Sequence, residues 1–302
     1  MGKSTRPAYL KQTTAGFTFD VFNGIFMSVI FIVMLYPFVN VTALAFNDGF
    51  DAVRGGVYLW PRKWTLENFD FAIRSPNLLR GAGVSVLRTA IGTTCTVFGS
   101  AVLGYIVTCQ NFLGRRFMRF IFIVTMYFSG GLIPTYLLML QLGFVNTLTV
   151  YWVPSIFSAF YMILASSYIQ NIPDALFESA RMDGAREMRI MLQFVIPLSL
   201  PMLACIAIYA GVSQWNSWFD VNLYSKNGKW DNLQIILYRL ITQANLVSMI
   251  TNQNQIADEM RNIQPVTVRS AVTVIVTFPI VVIYPFFQKY FVSGITLGAV
   301  KQ

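Results

Sequence analysis

The sequence has no histidine and three cysteines among 302 residues, so the side chains that most often hold zinc are nearly missing. Cys95, Cys109 and Cys205 are scattered in or beside apolar runs, a pattern that spells neither a metal cluster nor a disulfide framework and suits small buried thiols. Charge is scarce too, at 12% of residues against roughly 25% in a soluble domain. Hydrophobic residues make up 55%, and their long runs leave no stretch large enough for a separate soluble core. Lipid is the solvent that suits this composition, and the chain reads as one all-α membrane domain. The formal charge of +9 then has a first duty other than nucleic acid, which is to set orientation.

Six segments reach the length of about 20 mostly apolar residues needed to cross the hydrocarbon core: 22–46, 81–109, 117–140, 149–170, 190–214 and 266–288. The first runs on into Tyr36-Pro37-Phe38 without a small-residue cleavage site, so it reads as a retained span. Six spans put both termini on one side. That side carries Lys3, Arg6, Lys11, Arg115, Arg116, Arg119, Arg181, Arg186, Arg189, Lys289 and Lys301, more than the longer loops opposite, which places both termini in the cytoplasm. The expected division is a cytoplasmic segment 1–21, a six-helix domain 22–288 with external loops 47–80 and 215–265, and a cytoplasmic tail 289–302.

The spans hold no Asp or Glu at their middles, which argues against a proton- or sodium-driven carrier. With histidine absent as well, no acid–base or metal constellation for a membrane enzyme can be assembled. Arg88 and Arg269 fall near the outer ends of the second and sixth spans, where they are expected to snorkel to the interface. Gly2-Lys3-Ser4-Thr5 looks like the end of a phosphate-binding loop but lacks the earlier glycine and strand, so no nucleotide site is expected. Arg6 stands where a myristoylation signal wants Ser or Thr. Small residues such as Gly81 with Ser85, and Gly99 near Gly104, read as helix packing.

The most informative stretch is the cytoplasmic loop 171–189. Pro173 predicts a break, Asp174 an N-cap and residues 175 to 182 a short helix, with Ala175, Glu178, Ser179 and Met182 on one face. Gly184 predicts a left-handed end, and a second helix follows. Such a small-faced knob suits a partner's groove, although an ordinary amphipathic connector would share the pattern.

Glu178-Ser179-Ala180, then Asp183-Gly184-Ala185, then Ile196-Pro197-Leu198 and Pro201, resemble the EAA loop of ABC importer permeases. Glu178, Ala180, Gly184 and Pro197 stand in register, and Ser179 replaces the first alanine with another small residue. The resemblance implies a type I importer transmembrane fold in which Glu178, Ser179, Ala180, Asp183, Gly184, Ala185 and Pro197 couple to an ATPase subunit. Four more stretches are similar to the carbohydrate-uptake permeases, near the second permease of the maltose importer and the lipoprotein-associated polysaccharide-transport branch. They are Gly130-Gly131 with Pro134-Thr135-Tyr136, Leu142 to Thr147, Trp215 to Phe219, and Tyr284 to Gln302.

This likeness covers about residues 20–302. It implies a bacterial cell-membrane permease with a second homologous permease, two nucleotide-binding subunits that hold the ATP and Mg, and an extracytoplasmic solute-binding protein delivering a sugar or oligosaccharide. This chain itself would carry no catalytic residue and no cofactor.

A sugar site needs hydrogen-bonding groups beside aromatic faces. Gln214, Trp215, Asn216 and Trp218, at the outer end of the fifth span, offer both, although an interfacial aromatic belt would also put tryptophan there. Gly130 and Gly131, with Pro134, break the third span and could border a cavity or form a packing kink. Two further readings stay open: import of another solute, glycerol phosphate or a peptide, with an inward Arg88 speaking for the phosphate, and a membrane assembly subunit with no substrate path.

Overall fold

The computed structural model describes residues 14–250 and 264–299. Expectations resting on Gly2 to Thr5, Arg6, Lys11 and Lys301 lie outside these residues. The described chain is helical, and its one β feature is an antiparallel bridge between Asn47 and Trp64. In chain order the helices are α1 Thr14–Ala45, α2 Gly49–Val53, α3 Glu67–Arg74, α4 Pro76–Thr108, α5 Arg115–Tyr127, α6 Leu132–Gln141 and α7 Ala159–Ile169. They continue with α8 Asp174–Met182, α9 Glu187–Ile190, α10 Ile196–Leu198, α11 Leu200–Asn216, α12 Phe219–Tyr224, α13 Leu233–Ile250 and α14 Pro265–Ala299. The chain divides into two compact units, one within residues 1–72 and 251–274 and the other within 73–250 and 275–302.

In the first unit, α1 is apolar around its circumference and its long apolar stretch is unburied, the condition of a helix whose solvent is lipid. Beyond its end, the fully buried Asn47 organises the loop. Its Oδ1 accepts from the backbone N–H of Arg62 and Lys63 at 2.8 and 3.0 Å, and its Nδ2 donates to Asp51 at 3.0 Å. Asn68 Nδ2 donates to the carbonyls of Ala45 and Asn47, satisfying backbone acceptors that a helix end leaves open. The Asn47 amide, helped by the Arg62 guanidinium, holds the Asp51 carboxyl below its ordinary range. This part of the segment between α1 and α4 is therefore a built structure.

In the second unit α4 is the central helix, with α11 and α7 packed along it. Glycine makes the closest approaches possible. A Cβ added at Gly104 would lie 2.5 Å from Ala165 Cβ, and one at Gly99 would lie 2.5 Å from the Ile156 carbonyl oxygen. Ser85 Oγ accepts from Leu233 N at 2.9 Å, which ties the start of α13 to the same helix.

Three helices are long and apolar enough to cross a membrane by themselves, in Gly16–Ala45, Pro76–Thr108 and Pro265–Phe286, and the number rises to five if two bent pairs each count as one span. The continuous segments expected at 117–140, 149–170 and 190–214 are all interrupted. The first is α5 and α6, separated at Phe128–Gly131, where Gly131 takes φ 85°. In the second, 3-10 turns at Leu148–Tyr151 and Val153–Ser155 meet α7 at 44°, with Pro154 withholding a backbone donor. In the third, Glu187–Leu198 meets Leu200–Asn216 at 80°, with Pro197 and Pro201 on either side of Ser199. A π turn at Met191–Val195 loosens the ladder just where the Pro197 ring would strike the preceding carbonyls.

Replacing Gly104 with Val should lower the melting temperature of the purified protein by the equivalent of about 1–3 kcal/mol of overpacking, whereas Gly83→Ala, with open space around it, should not. Equal melting temperatures for both variants in a thermal-shift series would contradict the close α4–α7 approach.

Candidate functional site

Two constellations stand at different points along α4. The first is built on α8. Its cap is Pro173, and Asp174 is the first helical residue, one position inside the cap expected for it, where its carboxylate faces the positive end of the helix and accepts from Gln110 Nε2 at 3.3 Å. At the other end Gly184 takes φ 77°. The Gly184 N–H donates to the Arg181 carbonyl at 3.0 Å and the Ala185 N–H to the Ala180 carbonyl at 2.9 Å, the interlocked pair that closes a helix through a left-handed residue.

This geometry divides the loop's residues into two faces. Ala180 is buried in a cluster with Tyr105, Ile169, Ile190 and Val195, and Ala185 packs against it. Ala175, Glu178, Ser179, Met182 and Asp183 are exposed, Met182 to 88%. Pro197 stands apart from that face, exposed at the bend before α11. Glu187 locks the loop in place by accepting from the Tyr105 hydroxyl and pairing with Arg181 Nε at 3.1 Å. Neither Tyr105 nor Glu187 was among the expected site residues. Their contact joins positions 82 apart, and loop spacing carries no signal for it.

The second constellation corrects an expectation. Arg88 does not snorkel: it is 1% exposed, and its Nη2 meets Asp220 Oδ2 at 2.7 Å. Gln214 Oε1 accepts from its Nε and Nη2 at 3.2 and 3.0 Å, and the Tyr151 ring lies 4.7 Å from the guanidinium carbon. Asp220 also accepts from Ser217 Oγ at 2.7 Å and Val221 N at 2.8 Å. A buried guanidinium persists when a carboxylate and further acceptors use its donors, and here α12 supplies the carboxylate. Asp220 sits outside every apolar run, so a search of spans for acids passes over it. Arg269 is half-buried.

The remaining candidates separate. Gln214 is buried, and its Nε2 donates to the Tyr151 carbonyl and Ser155 Oγ at 3.1 and 3.0 Å, so both ends of its amide are engaged. Trp215 is buried, its Nε1 donating to the Val276 carbonyl at 3.1 Å. Asn216 is exposed and accepts from Gln234 Nε2, while Trp218 stacks on Tyr238 at 4.2 Å. Gly130 and Gly131 lie in the exposed break between α5 and α6, and none of the described hydrogen bonds of the Arg88 network involves them. Beside Trp215 a cavity of about 310 Å³ opens, walled by Thr89, Thr93, Ala207, Gly211 and Tyr284 among others. The hydroxyls of Thr89 and Thr93 are buried without hydrogen-bond partners.

Long apolar helices, two of the apolar stretches sharply bent, and a short helix held between a buried and an exposed face define a helical protein of the multi-pass membrane class. A family model described as binding-protein-dependent transport system inner membrane component matches residues 100–297, and the chain belongs to that family. It is 32% identical to the protein LplC of Bacillus subtilis (strain 168), over 97% of this chain and 98% of that one. It is also 32% identical to the polygalacturonan/rhamnogalacturonan transport system permease protein YtcP of the same organism, over 94% and 98%. A chain in the crystal structure of a bacterial ABC transporter involved in import of the acidic polysaccharide alginate superposes with a TM-score of 0.86 at 25% identity, covering 95% of this chain and 100% of that one.

Arg88→Met and Asp220→Asn should each cost about 2–3 kcal/mol of stability, below the range for a wholly buried pair because the Asp220 side chain is 26% exposed. The double variant Arg88→Met/Asp220→Asn should lose less than the sum of the two single losses. A double-mutant cycle on denaturant midpoints with strictly additive losses would mean the pair is not coupled.

Proposed function

We propose that this chain is one of two permease subunits forming the membrane path of an ATP-driven importer for a sugar or oligosaccharide delivered by an extracytoplasmic binding protein. The observation that carries the reading is the split of loop 171–189. Ala180 and Gly184 fix α8 to the body, and Ala175, Glu178, Ser179 and Met182 face out with small or flexible side chains. Such a face fits a groove on a nucleotide-binding subunit, while the buried face passes movement to α4 through Glu187 and Tyr105.

In this reading six passes through the membrane, three of them broken, put both termini in the cytoplasm. ATP and Mg sit in the two partner ATPase subunits, which close on ATP binding, draw the coupling helices together and turn the path outward. Hydrolysis returns it inward. The outer loops 47–80 and 215–265 meet the binding protein.

Trp215 borders the mostly apolar cavity beside Thr89 and Thr93, where an indole face would suit the apolar face of a sugar ring. Gln214, Asn216, Trp218 and the Gly130–Gly131 break are the other substrate-path positions, Gln214 through its hold on Arg88. Relatives named for polygalacturonan and alginate transport make acidic sugars candidates alongside neutral ones. Import of glycerol phosphate would want an unpaired cation in the path, and the buried Arg88 is already paired with Asp220.

In liposomes holding this chain with its partner permease, ATPase subunits and binding protein, oligosaccharide should stimulate ATP hydrolysis. Gly184→Val, which puts a β-branched residue at a left-handed position, should reduce that stimulation at least about tenfold, whereas Ser179→Ala should retain it. Hydrolysis indifferent to every neutral and uronic oligosaccharide tried would remove the sugar assignment.

A further inference from the structure

A second concave site lies beside the coupling loop, where the end of α4, the start of α5 and α8 enclose a cleft of about 680 Å³. Four arginines line it, Arg115, Arg116, Arg119 and Arg181, against two carboxylates, Asp174 and Glu178. Two of the four are engaged elsewhere. Arg119 Nη2 donates to the Val107 carbonyl at 3.1 Å, and Arg181 pairs with Glu187. Arg115 and Arg116 make no ion pair among the described residues. They begin α5, whose cap Gly114 supplies no side-chain acceptor; the Arg115 N–H turns back to the Phe112 carbonyl at 3.2 Å, and the donors that follow it in the first turn add to the positive field. The wall then turns apolar at Phe120, which is 64% exposed, and Ile123.

We propose that this cleft binds the phosphate-bearing headgroup of an anionic phospholipid. Guanidinium forks match phosphate oxygens, and basic pockets between helices at the cytoplasmic surface select anionic lipids. One helix presents cations at its first turn and exposed aromatic and aliphatic faces in the turns that follow. That sequence of chemistries matches a lipid, charged at the head and apolar below, better than a free ion. The volume accommodates a headgroup, where an isolated phosphate would leave most of it empty. The inference rests on the proposed reading only in placing this end of α4 at the cytoplasmic surface. Bound lipid would lie against α8 and stiffen the platform from which the coupling face projects.

The test uses the assembled transporter with its partner permease and ATPase subunits, stripped of lipid in detergent. Native mass spectrometry then follows titration with phosphatidylglycerol or phosphatidylcholine, and a photoactivatable phosphatidylglycerol maps the contact. Phosphatidylglycerol should bind in preference to phosphatidylcholine and cross-link within residues 110–123. Arg115→Gln/Arg116→Gln should weaken it roughly thirtyfold, and Arg115→Lys/Arg116→Lys should retain most of it.

Equal binding of both lipids, or an unchanged affinity in the glutamine variant, would overturn the proposal. Displacement by inorganic phosphate as effective as by the lipid would reassign the cleft to a free anion. Loss of the ATPase subunits from the glutamine variant with lipid binding intact would assign it to subunit docking. A transporter that fails to respond to sugars leaves the lipid result unaffected, so the two readings fail separately.

Discussion

Everything in the second unit depends on keeping α4 fixed while its neighbours bend around it. A helix of 33 residues is about 50 Å long, enough to cross the bilayer and project beyond it. Burying a guanidinium partway along such a helix is tolerable only with its donors filled, and Asp220, Gln214 and the Tyr151 ring meet that demand from three other segments. The charge that seemed suited to the interface therefore draws α11, α12 and the 3-10 turns toward one helix. The glycines at 99 and 104 do the corresponding work further along, where backbone meets side chain with no room for a Cβ.

At the far end of α4, Tyr105 meets Glu187, and loop 171–189 is held there by a hydrophobic cluster as well as by that contact. The residues of the loop motif thus have separable reasons. Alanine at 180 is required by the tight cluster, glycine at 184 by a left-handed backbone, and Glu178 and Ser179 are free of both constraints and available to a partner. A rod anchored at both ends suits a subunit that must pass motion between an ATPase and a substrate path. The anchor at Arg88 is electrostatic and the one at Tyr105 mostly apolar, so the two respond differently to substitution.

The helical membrane class and the α8–Gly184 turn were legible because hydropathy and capping chemistry are local. Asp174 was misplaced by one position, within the usual uncertainty of a helix end. Span continuity was not legible, since apolar length is indifferent to a bend such as the 80° turn at Ser199, even with Pro197 and Pro201 in view. Arg88 was misread because its partners arrive from 126 and 132 residues away, and only the fold brings them to it. Gln214 was singled out for its chemistry, yet it faces the guanidinium and the Tyr151 carbonyl, a placement no spacing rule encodes.

The proposed seating of α8 in an ATPase subunit is tested most directly by cysteine cross-linking in the assembled, sugar-responsive transporter. Met182→Cys lies at the tip of the exposed face, and Tyr58→Cys, 64% exposed in the loop proposed to face outward, serves as the comparison. The account predicts a cross-link from position 182 to the nucleotide-binding subunit whose yield changes when ATP is added, and none from position 58. An active transporter in which position 182 stays unlinked, or links no better than position 58, would contradict it.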